Sequence, residues 1–150
     1  MSESYCKKNN INIQNFTKKI IDKRSIRKLA KRILEKEKGE GDISIVFVDP
    51  EKIKDLNKRY RNKNEITDVL SFDYSLLNSK FFKRNFELGE IFICLAKVKE
   101  NARDFKLDFE KELKWVIIHG ILHLLGYDHE KSEKQAIKMR EKEKNYLKNL

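Results

Sequence analysis

The sequence predicts one α+β domain in which a mixed sheet of about four strands packs against helices. The chain has 150 residues and no internal repeat or linker, so we expect residues 1–150 to form a single domain. Short β-branched runs are interleaved with longer segments of helical periodicity, which is typical of a sheet covered by helices. One segment near residues 109–125 is apolar nearly all round, and we expect it to be the central helix.

The first strand and the first helix are predicted between residues 10 and 38. Residues 10–15 alternate apolar and polar side chains, which indicates a short, half-exposed strand. Thr17 can cap a helix that runs to about Lys38, because its hydroxyl can accept a hydrogen bond from an unpaired backbone N–H group. Gly39 and Gly41 follow and are predicted to end the helix.

A buried strand and a second helix are predicted next. The run Ile43–Val48 is rich in β-branched residues, which favour strands. Asp49 and Pro50 form a good helix start, with Asp as the capping residue and Pro in the first turn. This helix should end near Tyr60, and the polar residues 61–68 are predicted to form a loop.

The second half of the chain is predicted to contain two further strands and three helices. The strands cover residues 69–72 and 89–95, where apolar side chains predominate. A helix covers about residues 96–103, and the long apolar helix follows at about 109–125. The last helix, about 131–147, carries mixed charges, so we expect it to lie on the surface.

All three histidines of the chain lie in one short run with the spacing H-x-x-x-H-x-x-G-x-x-H. His119 and His123 are four residues apart, so on a helix they lie one turn apart on the same face. Gly126 stands where a helix commonly ends and the chain can turn back. His129 can then supply a third ligand. This spacing predicts a zincin-like metal site carried by the central helix.

Three imidazoles suit a divalent ion of borderline softness, and zinc is the predicted ion, one per chain, although nickel, copper or iron accept the same nitrogens. Structural zinc sites usually have four protein ligands, whereas three leave a position open for water or substrate. Zinc at such a site makes hydroxide available at neutral pH and polarises carbonyl or phosphoryl oxygens. The predicted reaction class is therefore hydrolysis.

Two other interpretations of the histidines compete with a metal site that hydrolyses an ester-like bond such as a phosphodiester. Metzincin peptidases share the ligand spacing, but their general base is a glutamate directly after the first histidine, and here that residue is Gly120. Their downstream methionine turn is also not evident, since Met139 lies in a charged, helix-like segment. Histidines on an apolar helix can also be ordinary core residues, but three at this spacing favour a metal site.

The charge of the chain favours a polyanionic partner. The formal net charge is +10, and basic side chains gain affinity for nucleic acid by releasing counterions from its phosphates. Residues 17–38 hold ten Lys or Arg against three acids, a net +7 on one predicted helix. We predict that Lys23, Arg27 and Lys31 of this helix contact RNA.

The location of the protein is predicted to be cytoplasmic, with no membrane partner. The sequence has no apolar run approaching the roughly 20 residues that span a bilayer, and its N-terminus has no apolar stretch typical of a signal peptide. Cys6 and Cys94 are far apart in the sequence, which fits reduced thiols better than a disulfide framework. Cys94 is expected in the core.

Several sequence blocks resemble one known family. The run His119–His129 is similar to the motif H-G-x-L-H-L-x-G-Y-D-H of the YbeY endoribonucleases, the bacterial ribosomal RNA maturation factors. Residues 56–72, L-N-x-x-Y-R-x-K-x-x-x-T-D-V-L-S-F, resemble a second block of the family. Residues 88–91 resemble a third, which usually has Asp in place of Glu90.

The chain departs from the family pattern at four loop positions. The family often has Gly, Asp and Pro where this chain has Asn62, Asn64 and Ile66, and it has Pro where this chain has Asp73. These positions are not metal ligands in the family. The departures therefore bear on loop shape and substrate fit rather than on the metal site.

The resemblance implies zinc ligands at His119, His123 and His129 and a functional arginine at Arg61. It also implies cleavage of single-stranded RNA, maturation of the 3′ end of small-subunit ribosomal RNA, ribosome quality control, and contacts with the small ribosomal subunit and its proteins. Physical chemistry agrees for Arg61, because a guanidinium presents a planar fork of donors to a phosphate and stabilises charge that develops on cleavage.

Other residues near the motifs have less defined expectations. Asp128 is predicted to hold a ligand imidazole in the correct tautomer. Asp68 and Glu90 can orient water or cap local structure, and neither receives a catalytic role. Tyr127 can pack, stack on a base or donate a hydrogen bond, and packing is favoured. Ser71 and Phe72 should border the cleft, where aromatic side chains commonly stack on single-stranded RNA.

Two alternative functions remain open at this point. One is a zinc peptidase or amidase, which the ligand spacing favours and Gly120 opposes. The other is a ribosome assembly factor without enzymatic activity, whose metal is structural and whose basic helix supplies the binding. For the endoribonuclease itself, the sequence leaves open whether water or the RNA 2′-hydroxyl is the nucleophile.

Overall fold

The computed structural model describes residues 9–74 and 87–149, which form four strands and five helices. Their order in the chain is β1 (Ile11–Asn15), α1 (Lys23–Lys36), β2 (Asp42–Phe47), α2 (Pro50–Arg61), β3 (Val69–Asp73), β4 (Glu87–Ile93), α3 (Leu95–Asp104), α4 (Phe109–Leu124) and α5 (Glu133–Lys148). The predicted α+β class, with a mixed four-stranded sheet and the histidine motif on a central helix, is confirmed.

The four strands form one sheet in the order β1-β2-β4-β3. The pairs β1·β2 and β2·β4 are parallel, whereas β3 runs antiparallel to β4. The strand β3 therefore lies at an edge of the sheet, with Ser71 opposite Ile91. This edge passes beneath α4, because the side-chain Oγ of Ser71 donates a hydrogen bond to the backbone oxygen of Gly120 over 3.3 Å.

Each face of the sheet packs against different helices, since side chains alternate between the two faces of a strand. One face joins α1, α4 and α5 in the main core, with Ile45, Ile91 and Ile118 fully buried. The opposite face packs against α2 in a smaller core, which contains Val46, Val48, Ile53, Leu56, Leu70 and Cys94. Cys94 is buried as expected, and Cys6 lies outside the described residues.

The helix α1 begins at Lys23, so the prediction that Thr17 caps it is wrong. The capping residue is Asp22, whose carboxylate accepts a hydrogen bond from the Ser25 N–H group over 3.1 Å. Thr17 instead donates its hydroxyl to the Asn15 side chain over 2.6 Å. Local side-chain bonds of this kind compete with helix formation, and they place the first helical turn later than the sequence suggested.

Smaller differences from prediction occur at other element ends. Pro50 begins α2 as expected, but the Asp49 side chain makes no capping hydrogen bond; its backbone oxygen accepts from the N–H groups of Lys52 and Ile53. The helix α2 ends at Arg61 instead of Tyr60. The strand β4 covers Glu87–Ile93 instead of residues 89–95, because the chain already turns into α3 at Leu95.

The helices α4 and α5 bring the histidine run and the C-terminal segment together. The helix α4 packs against α1, α3, α5 and the strands β3 and β4, which confirms its central position. Most side chains of α5 are exposed as predicted, but Met139, Glu143 and Tyr146 are buried against α4. Among the helices of the described ranges, none combines the length and apolar composition that crossing a membrane requires.

Candidate metal centre

The three histidines converge where α4 ends. His119 and His123 lie one turn apart on α4, and His129 follows in the loop before α5. One ring nitrogen from each histidine lies within 4.8 Å of the others. Gly126 makes the return of the chain possible, because its φ of 97° is a left-handed conformation that a side chain disfavours. The helix and this turn therefore position all three predicted ligands to bind one metal ion.

The electrostatics of the cluster suit a metal ion. Burial lowers the pKa of the His123 imidazole, and the neighbouring His119 and His129 lower it further. A neutral imidazole is the form that binds a metal. Three imidazole nitrogens fit a divalent ion of borderline softness. The donor set therefore fits the predicted kind of ion.

A buried glutamate of α5 orients the first histidine, and sequence reasoning missed it. Glu143 is only 4% exposed, and its Oε1 lies 2.7 Å from Nδ1 of His119. Its other oxygen, Oε2, accepts a hydrogen bond from Nε1 of Trp115 over 2.9 Å. A carboxylate beside a metal-binding histidine accepts from one ring N–H group, so with Nδ1 of His119 as the donor to Glu143 the other ring nitrogen, Nε2, is left for a metal.

The sequence contained one indication that Glu143 is buried, namely its position on α5. Met139, Glu143 and Tyr146 follow the i, i+4, i+7 spacing of a buried helix stripe. A charged residue in such a stripe needs a partner, because an unpaired buried charge is costly. The mixed charges elsewhere on α5 concealed this stripe.

Replacing Glu143 with glutamine should weaken zinc binding about 10- to 100-fold, the range typical of groups that orient a ligand. A glutamine has the same size but one acceptor oxygen. His119 and Trp115 approach different oxygens of Glu143, so in glutamine one of the two faces the NH₂ group and loses its acceptor. Zinc affinity measured by competition with a chelator tests this expectation.

The matched control is Glu112→Gln, which neutralises another buried carboxylate two turns before His119 on α4. Burial, followed by the charge of Asp68, raises the pKa of Glu112. This control should retain the zinc affinity of the wild type. Equal affinities for Glu143→Gln and wild type would show that Glu143 has no role in orienting the ligand.

Asp128 does not make the hydrogen bond to a ligand imidazole that was predicted for it. Its Oδ1 accepts from the backbone N–H group of Glu130 over 2.9 Å, which is a local turn common for aspartate. The carboxylate at hydrogen-bond distance from His119 is that of Glu143. Asp128 acts on the histidines through its charge, which opposes the lowering of the His123 pKa.

Contacts with the Glu37 carboxylate fix the loop between His123 and His129. The hydroxyl of Tyr127 donates to Glu37 over 3.0 Å, and Tyr146 of α5 donates to the same carboxylate over 2.8 Å. Lys142 lies 3.1 Å from it. Burial raises the pKa of Glu37, but these three partners outweigh that effect and lower it. Glu37 therefore ties the histidine loop and α5 to the end of α1.

Arg61 lies beside the histidines, although it is far from them in the sequence. It is the last residue of α2, and its Nη2 donates to the backbone oxygen of Ser71 over 2.8 Å. Arg61, Ser71 and all three histidines line one cavity of about 250 Å³. The structure thus brings a guanidinium and three imidazoles to the same cavity.

The basic residues predicted on α1 lie elsewhere. Lys23 and Lys31 are exposed, and Arg27 is half-buried with its Nε donating to the backbone oxygen of Ile11 over 3.3 Å. Of the described residues that line the two cavities at His123, none belongs to α1. An RNA contact by these three residues stays a prediction, and it concerns a surface apart from the histidines.

The position that carries glutamate in metzincins faces the sheet. A Cβ atom on Gly120 would lie 2.9 Å from Cγ2 of Ile91 and 3.3 Å from Oγ of Ser71. Ile91 is fully buried and its Cγ2 is attached directly to a stiff, branched Cβ. A longer side chain therefore does not fit there, and a peptidase-type general base is excluded at this position.

The fold and this centre define an α+β protein in which three histidines are placed to bind one metal ion and an arginine lines the same cavity. The sequence model of the endoribonuclease YbeY family matches residues 10–150. The chain belongs to this family.

Individual relatives agree with this membership. An endoribonuclease YbeY of Thermotoga maritima is 41% identical over 123 residues, which is 82% of this chain and 77% of the relative. That of Flavobacterium psychrophilum is 44% identical over 116 residues, 77% of each chain. A solution structure of a Thermotoga maritima protein matches with a TM-score of 0.66 and 37% identity, covering 91% of this chain and 86% of the other.

Proposed function

We propose that this protein is a zinc-dependent endoribonuclease that cuts single-stranded RNA during ribosome maturation and quality control. Membership of the endoribonuclease YbeY family supports nuclease activity. The proposed zinc dependence and action on an RNA phosphate are supported by one observation, the cavity that Arg61 shares with the three histidines. Its substrate in this proposal is the 3′ end of small-subunit ribosomal RNA, with ribosomal proteins as further partners and the cytoplasm as its location.

In this proposal His119, His123 and His129 hold one zinc ion per chain. When bound, zinc supplies a Lewis acid and lowers the pKa of water toward neutrality. Glu143 keeps His119 in the tautomer whose Nε2 accepts the metal. Trp115 stacks on His119 with ring centroids 5.3 Å apart, so that the imidazole is held from two sides.

Arg61 binds the phosphate in this proposal. A guanidinium has five N–H donors, and the bond to the Ser71 oxygen uses one of them and fixes the direction of the others. A positive group held in place stabilises the charge that develops on the phosphate oxygens as the P–O bond breaks.

The test is cleavage of RNA by protein purified without a histidine tag or added metal. We expect one zinc per chain by elemental analysis and cleavage of unstructured RNA, with little cleavage of a duplex of the same sequence. A product with a 2′,3′-cyclic phosphate identifies the RNA 2′-hydroxyl as nucleophile, whereas a linear phosphate at all time points identifies water. Binding to small ribosomal subunits without cleavage of any RNA would support an assembly factor instead.

A further inference from the structure

A second and larger cavity adjoins the metal centre. It has a volume of about 830 Å³, and Arg61, Ser71 and His123 line both this cavity and the smaller one that holds the histidines. Its volume is within the range of sites that enclose a small organic molecule. A group bound at Arg61 and the histidines therefore lies beside a space large enough for a neighbouring part of the same molecule.

One wall of this larger cavity consists of aromatic rings. Tyr60 and Phe72 make an edge-to-face contact with centroids 5.3 Å apart, and Phe72 contacts Phe92 in the same way at 5.7 Å. Tyr60 is 64% exposed although it is large and partly apolar. The guanidinium of Arg61 lies 5.9 Å from the centre of the Phe72 ring. Rings of this kind beside a cation are typical of sites that stack on nucleic acid bases.

The charges of this cavity distinguish a base from a second phosphate. Asp73, Glu90 and Asp128 contribute three carboxylates, against the two cations Arg61 and Lys131. Burial, followed by the charge of Glu90, raises the pKa of Tyr74 to about 12, so its hydroxyl stays protonated at neutral pH. Carboxylates repel phosphate but accept hydrogen bonds from the amino groups of bases.

We propose that the larger cavity is a nucleobase subsite, in which the base next to the phosphate held by Arg61 stacks on the exposed ring of Tyr60, beside Phe72. This inference rests on the proposed endoribonuclease function and adds a physical reason for single-strand selectivity. A base in a duplex is paired and stacked, so it reaches the subsite only after leaving the helix, which costs free energy. An unpaired base enters without that cost.

The test uses a short, unstructured 2′-O-methyl RNA as the probe, with 2-aminopurine placed at one position after another. This fluorescent base loses emission when it stacks. We expect quenching at one position near the cleavage site of the matching ribo-oligonucleotide. At that position an abasic nucleotide should weaken binding about tenfold, in line with the usual contribution of base stacking on an aromatic side chain.

The variant Tyr60→Ala should reduce both the quenching and, by about tenfold, the affinity for the intact probe, whereas Tyr60→Phe should keep both. With the abasic probe, Tyr60→Ala and wild type should bind equally, because the stacking partner is absent. The matched control is Phe105→Ala, since Phe105 is 67% exposed at the end of α3. It should behave as the wild type with every probe.

Two outcomes separate this inference from the proposed function. If the wild type cleaves the ribo-oligonucleotide but abasic positions and Tyr60→Ala change neither binding nor cleavage, the subsite is wrong and the nuclease stands. If no RNA is cleaved but binding keeps its dependence on one base and on Tyr60, the subsite stands and the nuclease proposal is wrong.

Discussion

Replacing His129 with alanine is expected to remove zinc from the protein and to abolish RNA cleavage while the fold persists. The side chain of His129 is 44% exposed, so its loss removes little packing. It supplies one of only three ring nitrogens at the centre. Zinc affinity should therefore fall by more than the roughly 100-fold that marks the upper range for groups acting through a ligand. Elemental analysis and chelator competition measure this loss directly.

The control for this experiment is Glu133→Ala at the start of α5. Glu133 is exposed, and it lines neither of the two cavities at the histidines. This variant should keep zinc and cleavage. A His129→Ala protein that is folded by circular dichroism and still cleaves RNA at the wild-type rate without metal would overturn the zinc mechanism.

The grouping of the three histidines was predictable from the sequence because its geometry is local. A spacing of four residues on a helix places His119 and His123 on one face regardless of the rest of the fold, and a glycine turn brings the chain back within a few residues. Glu143 was not predictable in this way. Its contact with His119 depends on how α5 packs against α4, which is set by buried residues such as Met139 and Tyr146.

The proximity of Arg61 to the histidines depends on how the strands of the sheet pair. The strand β3 pairs antiparallel with β4, and this pairing places Ser71 between α2 and α4. The backbone oxygen of Ser71 accepts from Arg61, and its Oγ donates to Gly120. The order of the strands is a non-local property that no periodicity encodes. The family resemblance suggested the importance of Arg61, but its position follows only from the pairing of β3.

The start of α1 was predicted wrongly for a local reason, because two capping signals compete there. Both Thr17 and Asp22 are good capping residues. Asn15 engages the backbone N–H group and the hydroxyl of Thr17, which leaves Asp22 to begin the helix. As a result Lys18 and Lys19 lie before α1, and the basic surface of the helix is shorter than the composition of residues 17–38 indicated.

Replacing Arg61 with alanine is expected to lower kcat/KM for RNA about 10²- to 10³-fold, the usual effect of removing one fixed donor that stabilises developing charge. The zinc content should not change, because Arg61 is not a ligand. Arg61→Lys should recover only part of the activity, since an ammonium has no planar fork for two phosphate oxygens. Single-turnover cleavage and zinc analysis of the same preparations measure both quantities.

Arg59→Ala is the matched control, because Arg59 lies on the same helix and pairs with Asp55 over 3.3 Å at the surface. An exposed pair of this kind contributes little to stability, so this variant should cleave RNA as the wild type does.

If loss of Arg61 acted only through the bond to Ser71, thermal stability would fall and cleavage by the remaining folded protein would be normal. A loss of kcat/KM at unchanged stability and zinc content instead places Arg61 on the phosphate. Equal losses for Arg59→Ala and Arg61→Ala would mean that both act through general positive charge, and the proposed binding of the phosphate by Arg61 would be wrong.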